Sequence, residues 1–227
     1  MTDRVNVRNI LVGAGDLFYT DDRLAGTPTV DFPTFNTGST SLRDDFHTDS
    51  EWHYAGATQD GVELTYTPDY GEVEVDQMKG AAVMFNQNLT VTLGTNLVEA
   101  ALESLLLAWG MADDYLSQAG ETDQFQLGVP GDDPAERSIA VVGKGTPVET
   151  GVAPDTEWVR RDRAYLARRV VSVEGSTVAL RRTEATTFPV SFRLLPDTDN
   201  KDSEYGVIVD RVPGDSAPNP SLNNEIT

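Results

Sequence analysis

Strict alternation of apolar and polar residues first becomes clear at Gly61. In the stretch GVELTYTPDYGEVEVDQ, Val62, Leu64 and Tyr66 alternate with Glu63, Thr65 and Thr67, and Val73 and Val75 alternate with Glu72, Glu74 and Asp76. A period of two is that of a half-buried strand. Pro68, Asp69, Tyr70 and Gly71 between the two runs have turn chemistry, so a ribbon is predicted that doubles back there and carries one acidic face. The next run, AAVMFNQNLTVTLG, sets Leu89, Val91 and Leu93 against Asn88, Thr90 and Thr92. A further strand with a polar face follows from it.

At TNLVEAALESLLLAWG the period changes to that of a helix. Val98, Ala101, Leu102, Leu105, Leu106 and Trp109 recur at helical spacing, Asn96 is placed to cap the first turn with Glu99 three residues on, and Gly110 to stop the last. The helix predicted over residues 97–109 is about 20 Å long and should lay that apolar stripe on a sheet. Upstream, VNVRNILVGAG reads as a strand. The polar stretch of residues 21–60 reads as a long loop or arm, removable without unfolding the rest. Downstream, strands are predicted over residues 138–142, 164–173, 177–182, 188–195 and 205–211, the last two forming a hairpin across PDTDNKDSE. Residues 212–227, rich in Pro, Asn and Ser, are expected to form a flexible tail. No internal repeat or linker divides the pattern. One domain over residues 1–227, mainly β with one α-helix, is the expectation.

Charge narrows the possible functions. Asp and Glu number 37 against 17 Lys and Arg, giving a net charge of -20 and a sequence pI near 4.2. A field of that sign does not hold DNA. It keeps a protein soluble, and it also suits a salt-rich host, where a Debye length of about 3 Å removes the self-repulsion. There is no cysteine, which removes thiol nucleophiles, disulfides and thiolate metal sites. No apolar run approaches the ~20 residues of a membrane helix, and Met1 leads into polar TDRVNVRN, so a chain made in the cytoplasm with no membrane partner is expected.

The motifs that could carry chemistry are weak. Val12-Gly13-Ala14-Gly15 follows an apolar run as a dinucleotide fingerprint would, but Phe18 stands at the third glycine position and no helical pattern follows. No cofactor is expected. His47 and His53, the only histidines, sit among Asp44, Asp45, Asp49 and Glu51, and such a loop gathers carboxylates whether or not it holds a cation. No G-x-S-x-G elbow occurs, and with so many carboxylates no single acid pair stands out. The chain does not read as an enzyme. Residues 158–169, WVRRDRAYLARR, gather Arg160, Arg161, Arg163, Arg168 and Arg169 in an otherwise acidic chain. They read as a solvated strand face or as candidate inter-subunit contacts that meet acids on a neighbour.

From Gly61 to Gly110, the order of two polar-faced ribbons followed by a capped helix ending LESLLLAWG resembles the tail tube (major tail) proteins of siphovirus-type phages and archaeal tailed viruses. The late FPVSFRLLPD and YGVIVDR pair is similar to the closing hairpin of that family. The resemblance implies a β-sandwich or half-barrel subunit that closes into a ring barrel on oligomerisation, in stacked hexameric rings around a channel. It implies a structural virion protein of the tail, with itself, tape measure, tail terminator and baseplate proteins as partners, and double-stranded DNA passing without specific binding. Glu63, Glu72, Glu74, Asp76, Asn88, Thr90 and Thr92 are then the candidate lumen face. Two other readings share the pattern. One is a carbohydrate-binding or fibre module of a virion, with Trp52, Tyr54, Tyr66 and Tyr70 as its aromatic platform. The other is the tube protein of a contractile secretion apparatus.

Overall fold

The computed structural model describes residues 15–21, 23, 30, 32–33, 39, 41–74, 81–99, 101–119, 122–127, 133–150, 157–173, 175, 177, 186–201 and 203–212. Among these, the elements run in the order β1 (Asp16–Tyr19), α1 (Leu42–Thr48), β2 (His53–Tyr54), β3 (Thr58–Glu74), β4 (Ala81–Leu97), α2 (Leu102–Trp109), a 3-10 turn (Asp113–Tyr115), β5 (Leu116–Ala119), β6 (Thr122–Phe125), β7 (Arg137–Thr150), β8 (Glu157–Ser172), β9 (Phe188–Leu194) and β10 (Val207–Arg211). The protein is mainly β and its strand pairing is antiparallel. The large sheet has the order β2-β1-β7-β8-β9-β4-β3, with β10 also on β8, and β5 and β6 form a separate small ribbon. Among the described residues the sheet is open, with β3 at one edge.

Alternation along the strands builds a core on each face of this sheet. On one face Leu17, Tyr19, Ile139, Val141, Val91, Leu93, Phe188 and Phe192 pack with Leu107 and Ala108 of α2. On the other, Phe18, Ala140, Val142, Ala164 and Leu166 pack with Leu42 and Phe46 of α1 and with Trp52. Each fully buried Leu or Phe contributes on the order of 1.5–3 kcal/mol, so both helices hold the sheet by area.

α1 corrects the expectation of a single helix and of a loop through residues 21–60. Its signals were present: Ser41 Oγ accepts the Asp44 N–H at 3.2 Å, Asp44 and Asp45 lie in the first turn, and Leu42 and Phe46 are one turn apart. Buried Asp162 of β8 completes the cap, accepting the Leu42 N–H at 3.1 Å and Lys144 Nζ at 2.9 Å. Deleting residues 21–60 would therefore strip one core and leave Asp162 without its α1 partner. The segment is not a removable arm.

Four further expectations change. β3 runs unbroken through Pro68 and Gly71, so no turn falls there; a proline is tolerated because β3 is an edge strand. Asn96 pairs with Gln59 and Pro189 inside β4 instead of capping a helix, and α2 starts five residues later behind Ala101. Val98 and Ala101 thus lie outside the helix, whose buried residues are Ser104, Leu106, Leu107 and Ala108. Gly110 does terminate it, in the left-handed region at φ 63°. β9 and β10 form no hairpin with each other. Both pair with the same edge of β8, β10 along residues 162–166 and β9 along residues 170–172. The strand predicted before Gly15, the one over residues 177–182 and the tail after Val212 lie outside the described residues.

Candidate assembly surface

Two long ribbons leave the body of the sheet together. β9 pairs with β4 over residues 92–97 and with β8 over residues 170–172, antiparallel to both. Beyond Leu194 of β9, β4 continues back to Ala81 beside β3, and β8 continues back to Glu157 beside β7. Both ribbons therefore extend past the same end of β9. β7 and β8 are held at their base by Arg137, β10 and β1, while the outer edge of β3 has no strand beside it among the described residues.

The β3–β4 ribbon carries most of the candidate lumen face, and its register decides which residues share a side. Leu64 opposes Leu93, Tyr66 opposes Val91 and Pro68 opposes Leu89, and Val91 and Leu93 are core residues. The alternate pairs, Glu63 with Gly94, Thr65 with Thr92, Thr67 with Thr90 and Asp69 with Asn88, face away from that core. Glu63, Asn88, Thr90 and Thr92 thus stand on one polar face. Glu72 does not join them. Because β3 is unbroken, nine residues of alternation put Glu72 on the core side, where it opposes Met84. Glu74 closes β3, and Asp76 lies outside the described residues. Thr65, Thr67 and Asp69 complete the polar face, and Arg193 of β9, opposite Thr92, is an exposed cation at its base.

The five arginines of β8 are engaged mainly within the chain. Arg163 donates through Nε and Nη2 to the two carboxylate oxygens of Asp210 on β10, at 2.5 and 2.8 Å. Those hydrogen bonds hold the Asp210 carboxyl below its ordinary value, while burial opposes the shift. Arg169 forks onto Glu136 at 2.7 and 3.0 Å and reaches the Pro196 carbonyl. Arg161 Nη2 donates to Thr146 Oγ1 at 2.6 Å, and Arg168 is fully buried. Arg168 is therefore no inter-subunit contact, and Arg163 and Arg169 act as internal clamps. Arg160 is exposed on the ribbon. A missed arginine, Arg137, is nearly buried and donates to Asp113, Met111 and Thr20 at once.

The histidines and aromatics of residues 47–70 separate. Arg43 Nε donates to His47 Nε2 at 3.4 Å, and His53 Nε2 lies 3.0 Å from Asp21. Among the described residues no group of three His, Cys, Asp or Glu side chains is placed to hold a metal ion. Trp52 is buried against Phe46, and Tyr54 packs on Phe18 and His47. Tyr66 and Tyr70 are exposed on β3 instead, so the four form no common platform. Open clefts of roughly 320 and 350 Å³ flank Tyr19, His53 and Glu103. Burial pushes the Tyr19 hydroxyl up to about 12 against the lowering effect of Arg137. Comparison with protein-family models and with curated proteins finds no match for this chain.

Proposed function

We propose that this protein is a structural, non-enzymatic subunit that polymerises into the tail tube of a siphovirus-type phage or archaeal tailed virus. In this reading, stacked hexameric rings conduct viral DNA into the host cell. The observation that carries it is the sheet, open among the described residues, whose β3–β4 ribbon stands out from the body with no strand beside β3 among those residues and with exposed Leu64, Tyr66, Tyr70, Val73, Val83, Met84 and Phe85. A long free edge with apolar side chains is an aggregation hazard on a monomer, and closure with neighbouring copies removes it. Each subunit then contributes its ribbons to a ring barrel.

The uncovered polar face supports the lumen role. Glu63, Thr65, Thr67, Asp69, Asn88, Thr90 and Thr92 offer carboxylates, hydroxyls and an amide, with Arg193 as a cation at the base of the face. DNA in contact with such a wall releases few condensed counterions and gains little affinity, so it slides. Tape measure, tail terminator and baseplate proteins are the partners of such a tube, its location is the virion tail, and assembly follows synthesis in the host cytoplasm.

A charge of -20 per copy sets the condition for assembly. Copies repel at low salt and associate once the Debye length falls below the spacing of their surface charges. Electron microscopy of the purified full chain from low to molar salt is the test. Regular hollow tubes at high salt are expected, and a monodisperse monomer at every salt and concentration would overturn the reading.

A further inference from the structure

Past a bulge partway along it, the β3–β4 ribbon becomes apolar on its outward face as well as on its core side. Consecutive residues Asp69 and Tyr70 of β3 pair with Asn88 and Asn86 of β4, so Gln87 is an extra residue. β3 alternates without a break from Val62 to Val73, and its parity defines the two faces on either side of the bulge. Near the body, the outward face holds the polar set of Glu63, Thr65, Thr67, Asp69, Asn88, Thr90 and Thr92. Past the bulge, the same face holds Gly71 opposite Phe85 and Val73 opposite Val83. The Phe85 ring lies on Gly71 so closely that a Cβ there would sit 2.5 Å from its Cζ. Glycine is what lets this aromatic lie flat across the strand.

The ribbon thus bears two apolar patches on opposite sides, the core-side one reaching farther toward the body. Leu64, Tyr66, Tyr70 and Met84 lie on the core side, and Val73, Val83 and Phe85 form the other patch. All seven are 42% to 64% exposed. β4 contains no charged residue, whereas β3 carries Asp60, Glu63, Asp69, Glu72 and Glu74, so two such ribbons meet where salt screens those carboxylates.

We infer that the outward tip patch of one copy packs on the core-side patch of the ribbon of a second copy. The inference rests on the self-assembly reading and names the surface that would carry its head-to-tail step. Opposite faces make the contact heterologous: each copy donates one patch and receives on the other, so the contact repeats without end. The two patches together cover on the order of 500 Å². A stable pair needs about 1,200 Å² or more, so this contact forms alongside edge pairing and yields polymer without a lasting dimer. The polar lumen face ends at the bulge, where the ribbon passes onto the next copy.

The absence of cysteine allows a direct test in the full chain. Leu64→Cys and Val83→Cys are prepared separately, brought to polymerising salt alone or mixed in equal amounts, and treated with a short bis-maleimide. Covalent dimer from the mixture, with little from either variant alone, is expected. Dimer from Val83→Cys alone would mean a symmetric contact and overturn the inference, as would polymer with no dimer in the mixture. An unmodified chain that never polymerises would overturn the self-assembly reading itself. As a second readout, Phe85→Ser should raise the concentration needed for polymer at least tenfold while leaving the melting temperature of the monomer unchanged.

Discussion

Replacing Arg137 with methionine tests whether the base of the β7–β8 ribbon is pinned by one buried guanidinium. Its side chain is 3% exposed. Nη1 donates to the Thr20 carbonyl at 3.1 Å and to Asp113 at 3.2 Å, and Nη2 donates to the Met111 carbonyl at 2.7 Å and to Asp113 at 2.8 Å. The Tyr19 ring lies 5.9 Å from the guanidinium carbon. Methionine keeps most of the stem volume, so the packing loss is small. What is lost is a charged donor to two carbonyls and one carboxylate, and removing one partner of a buried pair costs about 3–5 kcal/mol. Asp113 is 36% exposed and can rehydrate, which places the net near the lower end, about 3 kcal/mol. Urea unfolding followed by circular dichroism reads this directly. With a slope of roughly 3 kcal/mol/M for a chain of this size, the midpoint should fall by about 1 M. Asp113→Asn, changing the half-open partner, should cost only about 1 kcal/mol. A midpoint shift for Arg137→Met below about 0.3 M at unchanged slope would refute the reasoning and mean that water replaces the guanidinium at no cost.

Two pH dependences follow from the same clamps. The Asp210 carboxyl is held below its ordinary value of 3.8 by hydrogen bonds from Arg163. Its contribution is therefore complete above that value and lost as pH falls below it. Asp210→Asn should flatten the acid limb of stability below about pH 4, and an unaltered limb would deny the clamp. Tyr19 titrates near 12 in the fold against 10 when exposed, so the unfolded chain ionises first and stability falls between pH 10 and 12. Ultraviolet titration should show Tyr19 lagging most, with Tyr54 also raised by burial, and Tyr19→Phe should be spared roughly 2 to 3 kcal/mol of the loss that the parent chain shows across that window.

Alternation and period, which are local properties, were enough to determine from the sequence alone that the protein is mainly β, that Val91 and Leu93 point opposite to Thr90 and Thr92, and that a helix ends at Gly110. Local chemistry misled where tertiary partners outweighed it. Pro68 to Gly71 have turn composition, yet ladder bonds to β4 carry β3 straight through them. Asn96 has cap chemistry, yet β3 and β9 claim its backbone. α1 was legible in Ser41 and Asp44, but the short apolar stripe of Leu42 and Phe46 means little until Phe18, Trp52 and Asp162 meet it from distant strands. The polar ribbon face was half legible for the same reason: period two assigns sides only within an unbroken strand. Where strands continue, where one residue bulges and which strand lies at the edge depend on pairings between segments far apart in the chain, and the sheet order that puts β3 at an edge among the described residues exists only in the folded protein.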